Sequence, residues 1–270
     1  MGVIKIIETE LSQIQESREL YFSSLPECQE CFVEMLVDEG KYYTISINSQ
    51  KAGYVITSID KLISKTQDNV IVEFFLGDKY IPLSEEVFSQ VLKELSINKI
   101  YCKSYDALLL SSCLIYAMPY KVFGRIFRLF DIGTKYHLPP LYKVRLAQID
   151  DYDYLLKQGD EVYDTPDELE YLIKKQTITL FELNDDLVGC GYKIPIGSKK
   201  EIFDIGMWTN PQFRRRGIAT YIISYLKDEC LRNNQIPVCA CAADNINSIK
   251  TLQKNGFINK YKLIEFINNQ

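Results

Sequence analysis

The residues best placed to do chemistry are Arg214, Gly217 and Ala219, spaced Arg-x-x-Gly-x-Ala inside Phe213-Arg214-Arg215-Arg216-Gly217-Ile218-Ala219-Thr220. Upstream, residues 201–210 read as a strand ending at Asn210-Pro211; downstream, Ile218, Ile222, Ile223, Leu226 and Cys230 recur at helical spacing. The segment between them is a turn that opens a helix. A helix start presents N–H groups with no intrahelical partner at the positive end of the dipole. Small residues at 217 and 219 let a diphosphate approach those donors closely. Three cations at a helix start are unfavourable unless an anion is bound there. The same arginines also fit a solvated basic cluster or a nucleic-acid patch.

A second block follows a short apolar run at residues 238–243. Asp244 or Asn245 can cap a helix, Ile249 and Leu252 share one of its faces, and Gly256 stops it before a last strand beginning near Phe257. In this segment Asn245 opens the helix, the small residue Ser248 follows three positions later, and Gly256-Phe257 closes it. Taken with the Arg214/Gly217/Ala219 spacing, the block resembles the GNAT superfamily of N-acetyltransferases. The resemblance implies acetyl-CoA as cosubstrate, with coenzyme A as product.

The element order expected over residues 139–270 agrees with that resemblance. Residues 141–146 read as a strand and 150–158 as a helix, and Thr165-Pro166-Asp167-Glu168 starts a second helix with a capping box. Strands at 177–183 and 188–196 join through Asn184-Asp185-Asp186, and strand 201–210, the Arg/Gly helix, strand 238–243, the Asn245 helix and strand 258–267 complete the series.

The first half repeats the pattern. A hairpin at 41–49 and 52–58 turns around Gln50-Lys51, strands follow at 69–76 and 99–103, helices at 83–97 and 107–116, and a last strand at 121–130. This order suggests a duplicated fold; an unrelated α/β domain is the alternative. The expected fold class is therefore α/β (α+β): two tandem GNAT-like domains, each a mixed, mostly antiparallel twisted sheet flanked by helices. Residues 1–136 form a degenerate domain and 137–270 the acetyl-CoA-binding one. The first is degenerate because its equivalent turn carries Asp78, Pro82, Glu85 and Glu86. Proline supplies no amide, and the carboxylates repel phosphate.

By resemblance, the main chain from Arg214 through Arg215, Arg216, Gly217, Ile218 and Ala219 to Thr220 holds the pyrophosphate. Met207-Trp208-Thr209 pairs with the pantetheine arm and supplies the amide that polarises the thioester carbonyl, although Trp208 also suits a core. Asn245 contacts the pantetheine region or a bound water, or is an ordinary cap. The amine attacks directly, and it must first lose a proton. Asp204 is the preferred base and Glu201 the second candidate, on opposite faces by strand alternation; a structural carboxylate is the alternative at Asp204. The family's proton-donating Tyr, four residues before Gly256, is replaced by Leu252. A non-catalytic acyl-CoA-binding protein is the alternative function.

A formal charge of −5 argues against a general nucleic-acid binder and suits an amine acceptor, either a small molecule or a peptide N-terminus. No apolar run approaches the length of a bilayer helix, so no membrane segment is expected. The eight cysteines read as reduced thiols in the cytoplasm. Cys28-x-x-Cys31 lacks a second ligand pair, Cys239-x-Cys241 alternates along a strand, and no metal is expected. The lone histidine, His137, lies in a linker of residues 135–140 with Pro139-Pro140, which disfavours a Ser-His-Asp hydrolase.

Overall fold

The computed structural model describes residues 2–59, 68–134, 136, 142–158, 166–197 and 201–269. His137, Pro139, Pro140 and the capping Thr165 lie outside these residues. The chain divides into two compact units, Met1–Gly124 with Tyr261–Gln270, and Arg125–Lys260.

The first unit runs β1 (Ile4–Thr9), α1 (Leu11–Ser24), α2 (Cys31–Asp38), β2 (Lys41–Ile47), β3 (Gln50–Ile59), β4 (Asn69–Leu76), a 3-10 turn (Asp78–Leu83), α3 (Ser84–Glu94), β5 (Lys99–Lys103), α4 (Ala107–Ile115) and the start of β6 (Tyr120–Phe130). The second holds the end of β6, then β7 (Lys143–Leu146), α5 (Tyr152–Leu156), α6 (Pro166–Lys174), β8 (Ile178–Leu183), β9 (Asp186–Pro195), β10 (Ile202–Thr209), α7 (Ile218–Arg232), β11 (Ile236–Ala242), α8 (Ile246–Lys254) and the start of β12 (Phe257–Ile267). The order from β1 to β6 recurs from β7 to β12. Because β6 and β12 each give residues to both units, the units part at Gly124 and Lys260.

In the first unit β1 to β4 pair antiparallel in sequence order, β4 and β5 pair in parallel, and residues 263–267 of β12 pair antiparallel with β5. In the second, β7 to β10 pair antiparallel and β10 and β11 in parallel. The β8–β9 turn places Asn184 at φ 51° and Asp185 at φ 66°, the left-handed pair that matches strand twist in a two-residue hairpin. The β2–β3 turn falls at Asn48 and Ser49, φ 49° and 65°, and not at Gln50-Lys51. Gln50 already pairs with Ile47, and Asn tolerates the left-handed region.

Strand alternation divides the second unit's core. On one side of the sheet, Phe181, Val188 and Ile205 pack with Ile218, Ile222, Ile223 and Leu226 of α7 and Leu252 of α8. On the other, Cys190 and Trp208 pack with Leu155 of α5 and Leu169, Leu172 and Ile173 of α6. Helix α7 seats against Gly191, where a Cβ would stand 2.9 Å from Leu226 and 3.0 Å from Ile222.

A polar stripe on α7 ties the loops near the site to that helix. Lys227 is fully buried, and its Nζ donates to the carbonyls of Thr134 at 2.6 Å, Asn255 at 2.7 Å and Asp131 at 3.2 Å. One turn earlier Ser224 Oγ accepts the Tyr136 N–H at 3.1 Å, and the Thr220 carbonyl accepts Asn255 Nδ2 at 3.1 Å.

The first unit buries an ionic network between α1, α2 and strands β3 to β5. Glu73, fully buried, accepts Arg18 Nε at 3.2 and 3.0 Å, Arg18 Nη2 at 2.8 Å, Gln29 Nε2 at 2.6 Å and Tyr54 OH at 2.8 Å. Arg18 also bridges to Glu34 at 2.7 Å, and Lys103 Nζ donates to Gln29 Oε1 at 2.7 Å. Burial pushes the Glu34 carboxyl up, with the neighbouring Arg18 guanidinium opposing that shift. Tyr21 OH donates to Asp106 at 2.6 Å, and burial raises the pKa of both.

Glu73→Ala strips Arg18 of its principal counter-charge, and a loss of about 3–5 kcal/mol is expected in chemical denaturation. Lys227→Met leaves three inward carbonyls without their donor; a destabilisation on the order of 3 kcal/mol is expected in the same measurement.

Candidate functional site

The parallel pairing of β10 with β11 covers only Ile202↔Ile236, Phe203↔Pro237 and Asp204↔Val238. On its other edge β10 remains paired with β9 as far as Thr209↔Gly189. From Ile205 to Thr209 the β11-facing edge of β10 has no ladder among the described residues. Beyond that ladder its main-chain groups on that side are open to a ligand, except the Thr209 carbonyl, which accepts Arg214 Nε at 3.1 Å. Two side-chain atoms lie on this stretch, Trp208 Nε1 and Thr209 Oγ1, both buried and without a hydrogen-bond partner among the described residues. Orphaned polar atoms of this kind are rare in a native core and mark places that a ligand or water satisfies.

Strand β10 runs directly into the turn before α7. Asn210 folds that turn: its Oδ1 accepts the Gln212 N–H at 3.1 Å, and its Nδ2 donates to the Leu187 carbonyl at 2.9 Å. Arg215 (φ 66°) and Gly217 (φ 82°) are both left-handed, a turn geometry in which successive N–H groups line an anion-binding concavity. From Arg215 to Thr220 no main-chain N–H donates to a protein acceptor among the described residues, and the first helical bond is from Tyr221 N–H to Gly217 O at 3.0 Å. A Cβ at Gly217 would lie 2.6 Å from the Tyr136 hydroxyl, at the end of that side chain, and the left-handed φ is what favours glycine there.

The three arginines are exposed. Arg214 Nε donates to the Thr209 carbonyl at 3.1 Å, and the Arg216 guanidinium lies 5.2 Å from the centre of the Phe213 ring. Two of the three cations are thus folded onto their own turn, next to the free amides.

The other sequence-predicted residues separate. Met207 packs toward α7 and Trp208, 5% exposed, toward α5 and α6, in the core position that was its alternative reading. Asp204 shares the strand parity of Trp208 and pairs across to Ile194 and Val238. Glu201 is exposed, just before β10 begins, and its carbonyl accepts the Ile236 N–H at 2.7 Å. Asn245 Oδ1 accepts the Ser248 N–H at 3.0 Å, which makes it the cap of α8. Leu252 is a core residue at 2% exposure and offers no proton.

Cys239 lies between β10 and β6, where burial pushes its thiol up and the nearby Asp204 carboxylate adds to that shift. A thiol so placed is inert. Cys28 and Cys31 are half-buried, Cys31 opening α2 and Cys28 preceding it.

Three residues near the site escaped the sequence reading. Tyr192, on the α5/α6 side, pairs with Gly206, and desolvation raises its phenol pKa, which keeps it protonated. Lys227 and Tyr136 shape the approach to α7. Their one sequence signal is the run of Thr220, Ser224 and Lys227 at helical spacing, a polar stripe bordering the apolar face.

The similarity to known proteins accords with this geometry. A model described as an acetyltransferase (GNAT) domain matches residues 10–128, and one described as an acetyltransferase (GNAT) family matches residues 143–257. No curated protein matches the sequence. Among solved structures the chain is similar to a GNAT-family acetyltransferase from Colwellia psychrerythraea, with TM-score 0.85 and 16% identity over 97% of this chain and 99% of that one. It is also similar to a tandem GNAT protein from the clavulanic acid biosynthesis pathway, with TM-score 0.67 and 9% identity over 98% of each chain. A GCN5-related N-acetyltransferase from Sphaerobacter thermophilus gives TM-score 0.66 and 10% identity over 98% of this chain and 95% of that one. At such identities the structural likeness speaks for the fold alone. Since a GNAT model matches each half and the element order is repeated, the chain belongs to the GNAT acetyltransferase family and carries two GNAT domains in tandem.

Proposed function

We propose that this protein is an acetyl-CoA-dependent N-acetyltransferase that acetylates a primary amine, either a small molecule or a peptide N-terminus, in its second domain. GNAT domains bind acetyl-CoA or coenzyme A as cosubstrate, which supports the coenzyme half of this reading. The observation that carries it is the continuity of the open β10 edge with the partner-free amides from Arg215 to Thr220. A ligand with a polar arm and a diphosphate satisfies both, and the orphaned Trp208 Nε1 and Thr209 Oγ1 lie along the way.

Bound acetyl-CoA supplies a thioester carbonyl that is open to attack by an amine. The chain's own tasks follow from its residues. The amides from Arg215 to Thr220 hold the diphosphate, with Arg214, Arg215 and Arg216 adding positive charge. The main chain of Met207, Trp208 and Thr209 lies along the arm and offers an N–H to the developing oxyanion. Asp204 takes the ammonium proton, with Glu201 as the second candidate; Asp204 has the better claim because Glu201 is exposed ahead of the strand. Leaving thiolate needs no strong acid, since a thiol of pKa about 8.5 is a tolerable leaving group. Asn245 caps α8 and borders the arm from that helix. Eight cysteines in a chain of this size suit a reducing cytoplasm.

The first domain has the same brief parallel pairing, Val70↔Lys99 and Ile71↔Ile100, but not the cradle. Its 3-10 turn contains Pro82 and leads into a helix with Glu85 and Glu86 in the first turn. The side chains of Arg18, Gln29 and Tyr54 converge on Glu73 of β4. The domain is read as non-binding.

Leu252 in the core favours a second reading, a non-catalytic acyl-CoA-binding protein. Calorimetry of the full chain with coenzyme A is expected to give one site. Gly217→Glu should weaken it at least about hundredfold by placing bulk and charge on the diphosphate, while Pro82→Ala and Glu85→Gln leave it unchanged. Incubation with acetyl-CoA and a panel of amines should release free thiol; tight coenzyme binding without release for any amine would favour the second reading.

A further inference from the structure

Tyr136 is held against α7 at several points along that helix. Its N–H donates to Ser224 Oγ at 3.1 Å, and two residues earlier the Thr134 carbonyl accepts buried Lys227 Nζ at 2.6 Å. The Asp131 carbonyl takes the same ammonium at 3.2 Å, and the Asp131 N–H donates to the Gly256 carbonyl at 3.0 Å. With the backbone fixed beside the second turn of the helix, the ring reaches back to the first. Its hydroxyl stands 2.6 Å, and its Cζ 3.5 Å, from where a Gly217 Cβ would be. A Cβ at 217 would push that hydroxyl away.

The Tyr136 hydroxyl makes no hydrogen bond among the described residues. It stands beside Gly217, within a run of six residues, Arg215 to Thr220, whose N–H groups have no protein acceptor among the described residues. A phenol O–H next to such donors has one productive use there, as a further donor to an anion that the amides already hold. A packing role would need only the ring.

We propose that the Tyr136 hydroxyl is the side-chain member of the diphosphate cradle, donating to a phosphoryl oxygen of a coenzyme A-type ligand whose other oxygens take main-chain amides from Arg215 to Thr220. This rests on the coenzyme reading of the turn and adds to it a selective contact. The hydroxyl discriminates ligands by their diphosphate, independently of the thiol arm and of the terminal 3′-phosphate. Ser224 and Lys227 are the positioning residues that set its height over Gly217.

The test is calorimetry on the full chain and its Tyr136→Phe variant, with coenzyme A, dephospho-coenzyme A and pantetheine as probes, and thermal unfolding as a check that the ring still packs. The variant should unfold at the wild-type temperature. It should bind coenzyme A and dephospho-coenzyme A each about tenfold more weakly, since one charge-assisted hydrogen bond is lost, and pantetheine, which lacks the diphosphate, as the wild type does. Unchanged coenzyme A affinity in Tyr136→Phe, with Gly217→Glu still abolishing binding, would overturn the role of Tyr136 and leave the cradle intact. An equal loss for pantetheine would show a packing role and overturn it too. A wild-type chain that binds neither nucleotide would bring down the coenzyme reading itself, and this inference with it.

Discussion

Hydrogen bonding between β10 and β11 stops after Asp204 and Val238, and the candidate site follows from where it stops. A parallel ladder that ends early leaves strand amides and carbonyls without partners, at a cost unless something else pairs with them. The strand does not bend back to recover them, because β9 holds its other edge through Thr209 and both faces are locked by packing, Ile205 against α7 and Trp208 against α5 and α6. The chain then enters α7 through a turn whose amides are also unmet. Two sets of main-chain groups without partners among the described residues are thus consecutive in sequence, which is what the proposed ligand reading rests on.

The same architecture in the first unit has been put to another use. β4 and β5 also pair for only two residues before they part, but Glu73, beyond that point on β4, is met by side chains from α1, from the segment before α2, and from β3. Burying a carboxylate is tolerable only when charge and hydrogen bonds surround it. Arg18, Gln29 and Tyr54 provide that, and Lys103 reaches the network through Gln29. One copy of the fold thus surrounds a buried carboxylate of its parting strand with its own side chains, while in the other the parting strand carries no such network among the described residues.

Lys227 carries a comparable responsibility in the second unit. A fully buried ammonium must spend its donors on protein oxygens, and here those are three carbonyls from two segments far apart in sequence. That single group fixes the chain after β6 and the α8–β12 turn to one helix. It also explains how a loop residue such as Tyr136 comes to stand at the helix start.

Local rules were legible in the sequence. The alternation of β8 and β9, the Asn184-Asp185 turn, the apolar face of α7, the Gly217 turn and the Asn245 cap all express backbone preferences that act over a few residues. Residues 4–38 were not legible: α1 buries only Ile14 and Tyr21, too thin a stripe to show a period. The β2–β3 turn was misplaced by two residues because polar Gln50-Lys51 looked as turn-like as Asn48-Ser49, and only the pairing of Ile47 with Gln50 distinguishes them. The sequence alone therefore determined the repeat, the family and the tight turn at Gly217, since these depend on neighbours along the chain. Tertiary structure alone decided that Glu73 meets Arg18 across 55 positions, that Lys227 is buried and not solvated, that Leu252 belongs to the core, and that β10 keeps an open edge. Those outcomes depend on which segments meet in space, and burial is what makes each pairing obligatory.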